Sequence, residues 1–170
     1  MISPIKLGWV AGVIDLKGRL MRKKNTMRAT PQIVLMVETK EMGVVRELSN
    51  LTGTRPESHD RRPLKDWMRR GCLEHCPEAH IHVHEELEGL YMPPIARWTI
   101  TGAGMYVVLS NVLPYIQIDR GYEEAMDQVL GNTVLVGQGA NAVITSLRRL
   151  HRLGWEMPEE FKEVVLDAVA

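Results

Sequence analysis

Both cysteines of this 170-residue chain, and four of its six histidines, fall between Cys72 and His84. Cys72 and Cys76 flank His75, and His80, His82 and His84 alternate, which on a strand would project them to one face. Tetrahedral zinc takes four such donors. Two thiolates from a turn and two imidazoles from the next strand give a closed Cys₂His₂ structural Zn²⁺ site of Cys72, Cys76, His80 and His82, with His75 as substitute. The spacing is not that of a standard finger, because only Pro77 to Ala79 separate the pairs. A zinc with an open position could activate water, but no positioned acid and substrate cleft can be read from the sequence, so support of the fold is the expected role. Upstream, Asp15 and Lys17 place a carboxylate and an ammonium two residues apart. From Lys17 to Arg28 the run KGRLMRKKNTMR carries six cations and no acid, a pattern suited to phosphate contacts.

A helix and a hairpin must position these groups. Ser3 and Pro4 suit the N-cap and first position of a helix, and the apolar, small-residue segment that follows runs to about Asp15. Gly8, Ala11 and Gly12 leave part of that helix bare, so another backbone can approach closely: the chain's own sheet, or a second copy. Asn25 and Thr26 would turn the chain into a strand from Pro31 to Thr39, PQIVLMVET. A first hairpin strand bearing Arg19, Arg22, Lys23, Lys24 and Arg28 can lie along a DNA groove; the alternative is an ordinary solvated strand. Met42, Val45, Leu48 and Leu51 predict a helix over 40–51, ended by Gly53, that covers the back of the sheet. Residues 54–70 are polar and net basic. A strand is expected over 95–100, a helix over 102–113 broken by Pro114, and another over 121–130. The run GQGA at 137–140 is a hinge before a helix over 141–153 with a basic end at Arg148, Arg149, His151 and Arg152. The last segment, 158–170, is acidic and amphipathic, and no internal repeat is found.

The segment WVAGVIDLKGRL, Trp9 to Leu20, resembles the LAGLIDADG motif of homing endonucleases. Ala11, Gly12, Ile14, Asp15 and Gly18 match the signature, and Val10 and Val13 replace leucines conservatively. The resemblance spans most of residues 4–131 and implies an α+β chain with the αββαββα fold. It also implies one domain over 1–170: a core at about 4–131, a zinc-binding insertion at about 55–94 with its site at 72–84, and extra C-terminal helices over 132–170. One motif per chain implies a homodimer through Gly8, Ala11 and Gly12. In the family the second motif acid holds a divalent metal beside the scissile phosphate, and here that position is Lys17. A cation cannot ligate Mg²⁺, which requires oxygen donors. Met36 stands where a polar, water-positioning residue is common, and Asp119 where lysine is frequent, so a Lys17–Asp119 ion pair is expected. No catalytic residue is expected, and Asp15 is read as a structural carboxylate.

The function expected from the resemblance is therefore double-stranded DNA binding without cleavage. An active Mg²⁺-dependent endonuclease using Asp15 and Asp119 is the alternative, and a protein-interaction module on the same fold a further one. The formal net charge is +0, so DNA binding has to come from a local basic face rather than a global field. With 45% hydrophobic residues the chain can bury one substantial core. No signal-like or membrane-spanning run is found, so a cytoplasmic protein is expected, in the host cytoplasm if, like the phage proteins it resembles, the chain is phage-encoded.

Overall fold

The computed structural model describes residues 1–23, 32–55, 57–59, 95–118, 120–136 and 139–166. Helix α1, Pro4–Lys17, begins where the Ser3 side chain accepts a hydrogen bond from the Lys6 amide at 3.4 Å, with proline at its first position. It ends at Gly18, whose N–H donates to the Ile14 carbonyl. A Cβ on Gly18 would lie in hard contact with that same carbonyl oxygen, so the last glycine of the motif is required by close approach.

The chain then leaves the helix directly into strand β1, Gly18–Lys23, which pairs antiparallel with β2, Gln32–Thr39. Helix α2, Met42–Thr52, follows and closes on Gly53 in the left-handed conformation at φ 66°. Strand β3, Glu57–His59, and strand β4, Ile95–Thr101, complete an antiparallel sheet of order β1-β2-β4-β3 among the described residues. Helix α3, Gly102–Val112, gives way at Pro114 to a 3-10 turn, Leu113–Tyr115, and α4, Tyr122–Asn132, follows. Among the described residues the order α1β1β2α2β3β4α3 follows the αββαββα succession expected from the sequence.

The faces of the sheet sort by residue parity. Ile33, Leu35 and Val37 of β2 and Ala96, Trp98 and Ile100 of β4 join one core with Val10, Ala11 and Ile14 of α1, Val45 and Leu48 of α2, and Met105 and Leu109 of α3. Trp98 is fully buried, and its indole N–H donates to the Thr52 hydroxyl at 3.0 Å, which in turn donates to the Leu48 carbonyl at 2.7 Å.

Two further helices, α5, Ala140–Arg152, and α6, Glu159–Leu166, belong to that same core. Leu147, Leu150, Trp155, Met157, Phe161 and Val165 are all buried in it. The Trp155 indole donates to the Leu51 carbonyl at 2.7 Å, and Arg149 donates to the Gly53 carbonyl at 2.9 Å, tying this segment to the end of α2. Phe161 meets Tyr106 edge-on at 5.3 Å between ring centroids. The sequence reading set a core at 4–131 apart from a C-terminal extension; in the structure residues 140–165 help build the core itself.

Candidate nucleic-acid interface

The end of α1 is organised around Asp15. This carboxylate is buried, and its two oxygens accept the backbone N–H groups of Gln117 at 2.8 Å and Ile118 at 3.2 Å. The acid therefore fastens the helix to the segment that follows the 3-10 turn. Arg120 returns the connection: its guanidinium donates to the Asp15 carbonyl at 2.6 Å and to the Gly18 carbonyl at 2.9 Å. It thereby satisfies carbonyls that a helix C-terminus leaves without intrahelical partners, and puts positive charge at the negative end of the helix dipole. Arg120 is a residue of this site that the sequence reading missed. Its contacts span 102 and 105 residues of chain, and no local pattern carries a signal for them.

Lys17, the last residue of α1, is exposed. Beyond it the strand geometry divides the predicted basic set. Arg19 pairs in register with Met36 and Met21 with Val34, placing Arg19, Met21 and Lys23 on the sheet face opposite the one that packs against the described helices. Arg19 and Lys23 are exposed, about 13.6 Å apart along the strand. Among the described residues, Lys17, Arg19 and Lys23 have no ion-pair or hydrogen-bonded side-chain partner. Arg22 points the other way. It lines a cleft with Leu20, Ile33 and Arg120, and its guanidinium reaches Glu124 of α4 at 3.3 Å. One step of the period-2 alternation thus puts Arg22 on the sheet face opposite Arg19 and Lys23, where its side chain is still largely exposed. Lys24 and Arg28 lie outside the described residues.

At the centre of the same sheet face Val34 and Met36 are 1% and 6% exposed. Met36, the position expected to have lost a polar group, sits between Arg19 of β1 and Thr99 of β4. One register row away, Glu38 accepts from Arg97 through both Nε at 2.9 Å and Nη2 at 2.6 Å. This cross-strand pair holds the Arg97 guanidinium partly exposed on the face and was not foreseen from the sequence, although two strands in register would align the two residues.

The outward side of α1 carries a second surface. Ile5, Trp9, Gly12 and Leu16 recur at helical spacing, with Gly8 beside them. Ile5 is 85% and Leu16 79% exposed, and a Cβ at Gly8 or Gly12 would meet nothing within 4 Å. Ala11, expected to share this surface, is wholly buried against the chain's own core, and the expectation is corrected there. It falls with Val10 and Ile14 on the opposite side of the helix.

Asp119 lies outside the described residues, and so does the pairing expected of it with Lys17. Cys72, His75, Cys76, His80 and His82 also lie outside them; among the described residues no group of three or more histidines, cysteines or acids is arranged to hold a metal. No helix among the described residues is long and apolar enough to cross a membrane.

Among the described residues, an antiparallel sheet with helices packed on one face, exposed cations on its outer strand and a motif helix ending beside that strand defines an α+β protein with a candidate polyanion-binding face. Among solved structures the chain is similar to the homing endonuclease I-CvuI in complex with DNA targets. One such complex, with calcium, is 11% identical over 88% of this chain and 80% of that one at a TM-score of 0.47. Another, with magnesium and uncleaved DNA, is 12% identical over 94% of each chain, also at 0.47. No family model and no curated protein matches the sequence.

Proposed function

We propose that this chain binds double-stranded DNA as a homodimer and does not cut it. The observation that carries the reading is the separation of charge on β1: Arg19 and Lys23 stand exposed, without an ion-pair partner among the described residues, on the sheet face opposite the described helices, while Arg22 meets Glu124 on the other side. Phosphate contacts from this face supply affinity, and Lys24 and Arg28 of the connecting segment extend it. The extra helices α5 and α6 buttress the fold from the other side.

The homodimer rests on α1, which is apolar on both sides. A helix with this pattern buries both faces, and only one of them meets the chain's own core. Burial of Ile5 and Leu16 in two copies contributes roughly 6–12 kcal/mol, commensurate with an association cost of about 4–15 kcal/mol. Gly8 and Gly12 let the two helix backbones approach closely, which is why the occupant is a second copy of the same face.

Cleavage is absent from the reading because, among the described residues, the motif helix presents no acid that is free to hold a cation. Lys17 occupies the motif's second acid position, and both oxygens of Asp15 serve the 117–118 backbone. A structural Zn²⁺ held by Cys72, Cys76, His80 and His82, with His75 as substitute, completes the proposal and is supported by the crowding of these donors in the sequence. Elemental analysis is expected to find one zinc per chain, lost in Cys72→Ser; a zinc-free wild type removes this part.

Incubating zinc-replete protein with a randomised duplex library, in Mg²⁺ or in EDTA, tests the function. Enrichment of uncut duplex in both buffers supports a binding protein. Mg²⁺-dependent ends overturn the silent reading in favour of an endonuclease, and no enrichment points to a protein-interaction module.

A further inference from the structure

We propose that Lys17 grips a phosphate of the bound duplex, so that the end of α1 is an anion subsite where a metal-dependent nuclease would present a cation. The inference rests on the DNA-binding reading above and adds a role for a residue that, in that reading, only explains silence.

Three observations converge on it. Among the described residues the acid at this end of the helix, Asp15, is buried, with both oxygens accepting backbone N–H groups, so it offers little negative field to solvent. The carbonyls of Asp15 and Gly18, which would give the helix end its partial negative charge, are covered by the Arg120 guanidinium at 2.6 and 2.9 Å. What remains outward is Lys17, exposed and without an ion-pair partner among the described residues, two residues before Arg19 on the same strand-bearing edge. Lys17, Arg19 and Arg120 thus surround the helix terminus with positive charge, with no free carboxylate among the described residues there. Such a cluster repels a divalent cation and attracts a phosphodiester. An ammonium on a flexible four-carbon stem suits this work, because it neutralises one phosphate as a point charge and demands no fixed geometry. The apolar stripe of α1 ends at Leu16, so in the proposed dimer the two copies of Lys17 emerge at the margin of the helix pair, where both reach the same duplex.

The test is a salt titration of equilibrium binding to a labelled duplex of random sequence, comparing wild type, Lys17→Gln, Lys17→Arg and, as a control on the helix-covered side, Arg46→Gln. Each lost phosphate contact makes the slope of log affinity against log salt shallower by about 0.9. Lys17→Gln in both copies is therefore expected to reduce the slope by about 1.8, with Lys17→Arg and Arg46→Gln close to wild type. A merely structural lysine at a helix end would move the unfolding midpoint and leave this slope alone. If wild type binds and the Lys17→Gln slope is unchanged, the subsite is refuted while the binding reading stands. If wild type does not bind at all, the binding reading fails first and the subsite with it.

Discussion

Asp15 and Gly18, three residues apart, do different work at the same helix end. The carboxylate binds two amides from a distant segment, and the glycine exists because a side chain would strike the Ile14 carbonyl. Gly18→Ala is accordingly expected to lower stability by about 1–3 kcal/mol, the range for overpacking at a close contact, read as a fall in denaturant midpoint; an unchanged midpoint would falsify the close-approach argument. Tyr106 offers a pH-dependent counterpart. Burial first, and the hydrogen bond its hydroxyl donates to Glu160 at 3.0 Å second, raise its pKa above the ordinary phenol value. The folded state therefore holds this proton more tightly than the unfolded chain, and the stability it contributes is lost as pH rises past about 10. In Tyr106→Phe the decline of stability in that alkaline window is expected to be shallower than in wild type.

At the scale of elements, α1 is the part that a monomer leaves unfinished. Replacing Trp9 and Leu16 together by glutamate places charge on its outward stripe and is expected to give a folded monomer by sedimentation, with weakened DNA binding; a dimer that survives both changes would place the interface elsewhere. Most elements were legible in the sequence. The spacing of Met42, Val45 and Leu48 located α2 to within two residues, and Gly53 marked its end because only a left-handed residue closes a helix in that way. What was not legible is which side of an element a residue faces. On β2, Ile33 to Val37 are buried on both faces, so no polar alternation in that strand marks the two sides of the sheet. The sides taken by Arg22 of β1 and Ala11 of α1 are likewise set by strand register and helix packing, which no local pattern marks. Arg120 escaped because a guanidinium covering carbonyls more than 100 residues away leaves no periodic trace.

For the whole molecule, the folding unit includes α5 and α6. Trp155, Phe161 and Val165 are each no more than 1% exposed, and the Ile2 N–H donates to the Gly154 carbonyl at 3.0 Å, so the two ends of the described chain are tied through one core. A chain ending at residue 136 is expected to lose cooperative unfolding, measured by circular dichroism against denaturant. Persistence of a sharp transition would show the shorter core to be sufficient. The +0 formal charge also has a consequence at this scale. With no long-range attraction to draw the protein in, affinity rests on the few cations of one face, and the salt slope should report a small number of phosphate contacts rather than the sum of all 21 lysines and arginines.

The clamp between Asp15 and residues 117, 118 and 120 also sets a timetable during synthesis. At about 5–20 residues per second, the partners of the helix end leave the ribosome roughly 5–20 s after Asp15 itself. Through that interval the end of an apolar helix is unfastened and its outward side uncovered, and a neighbouring nascent chain on the same message presents an identical one. Slower translation across the middle of the coding sequence would therefore lengthen the window for premature association and increase the demand for chaperones, without altering any contact in the finished protein.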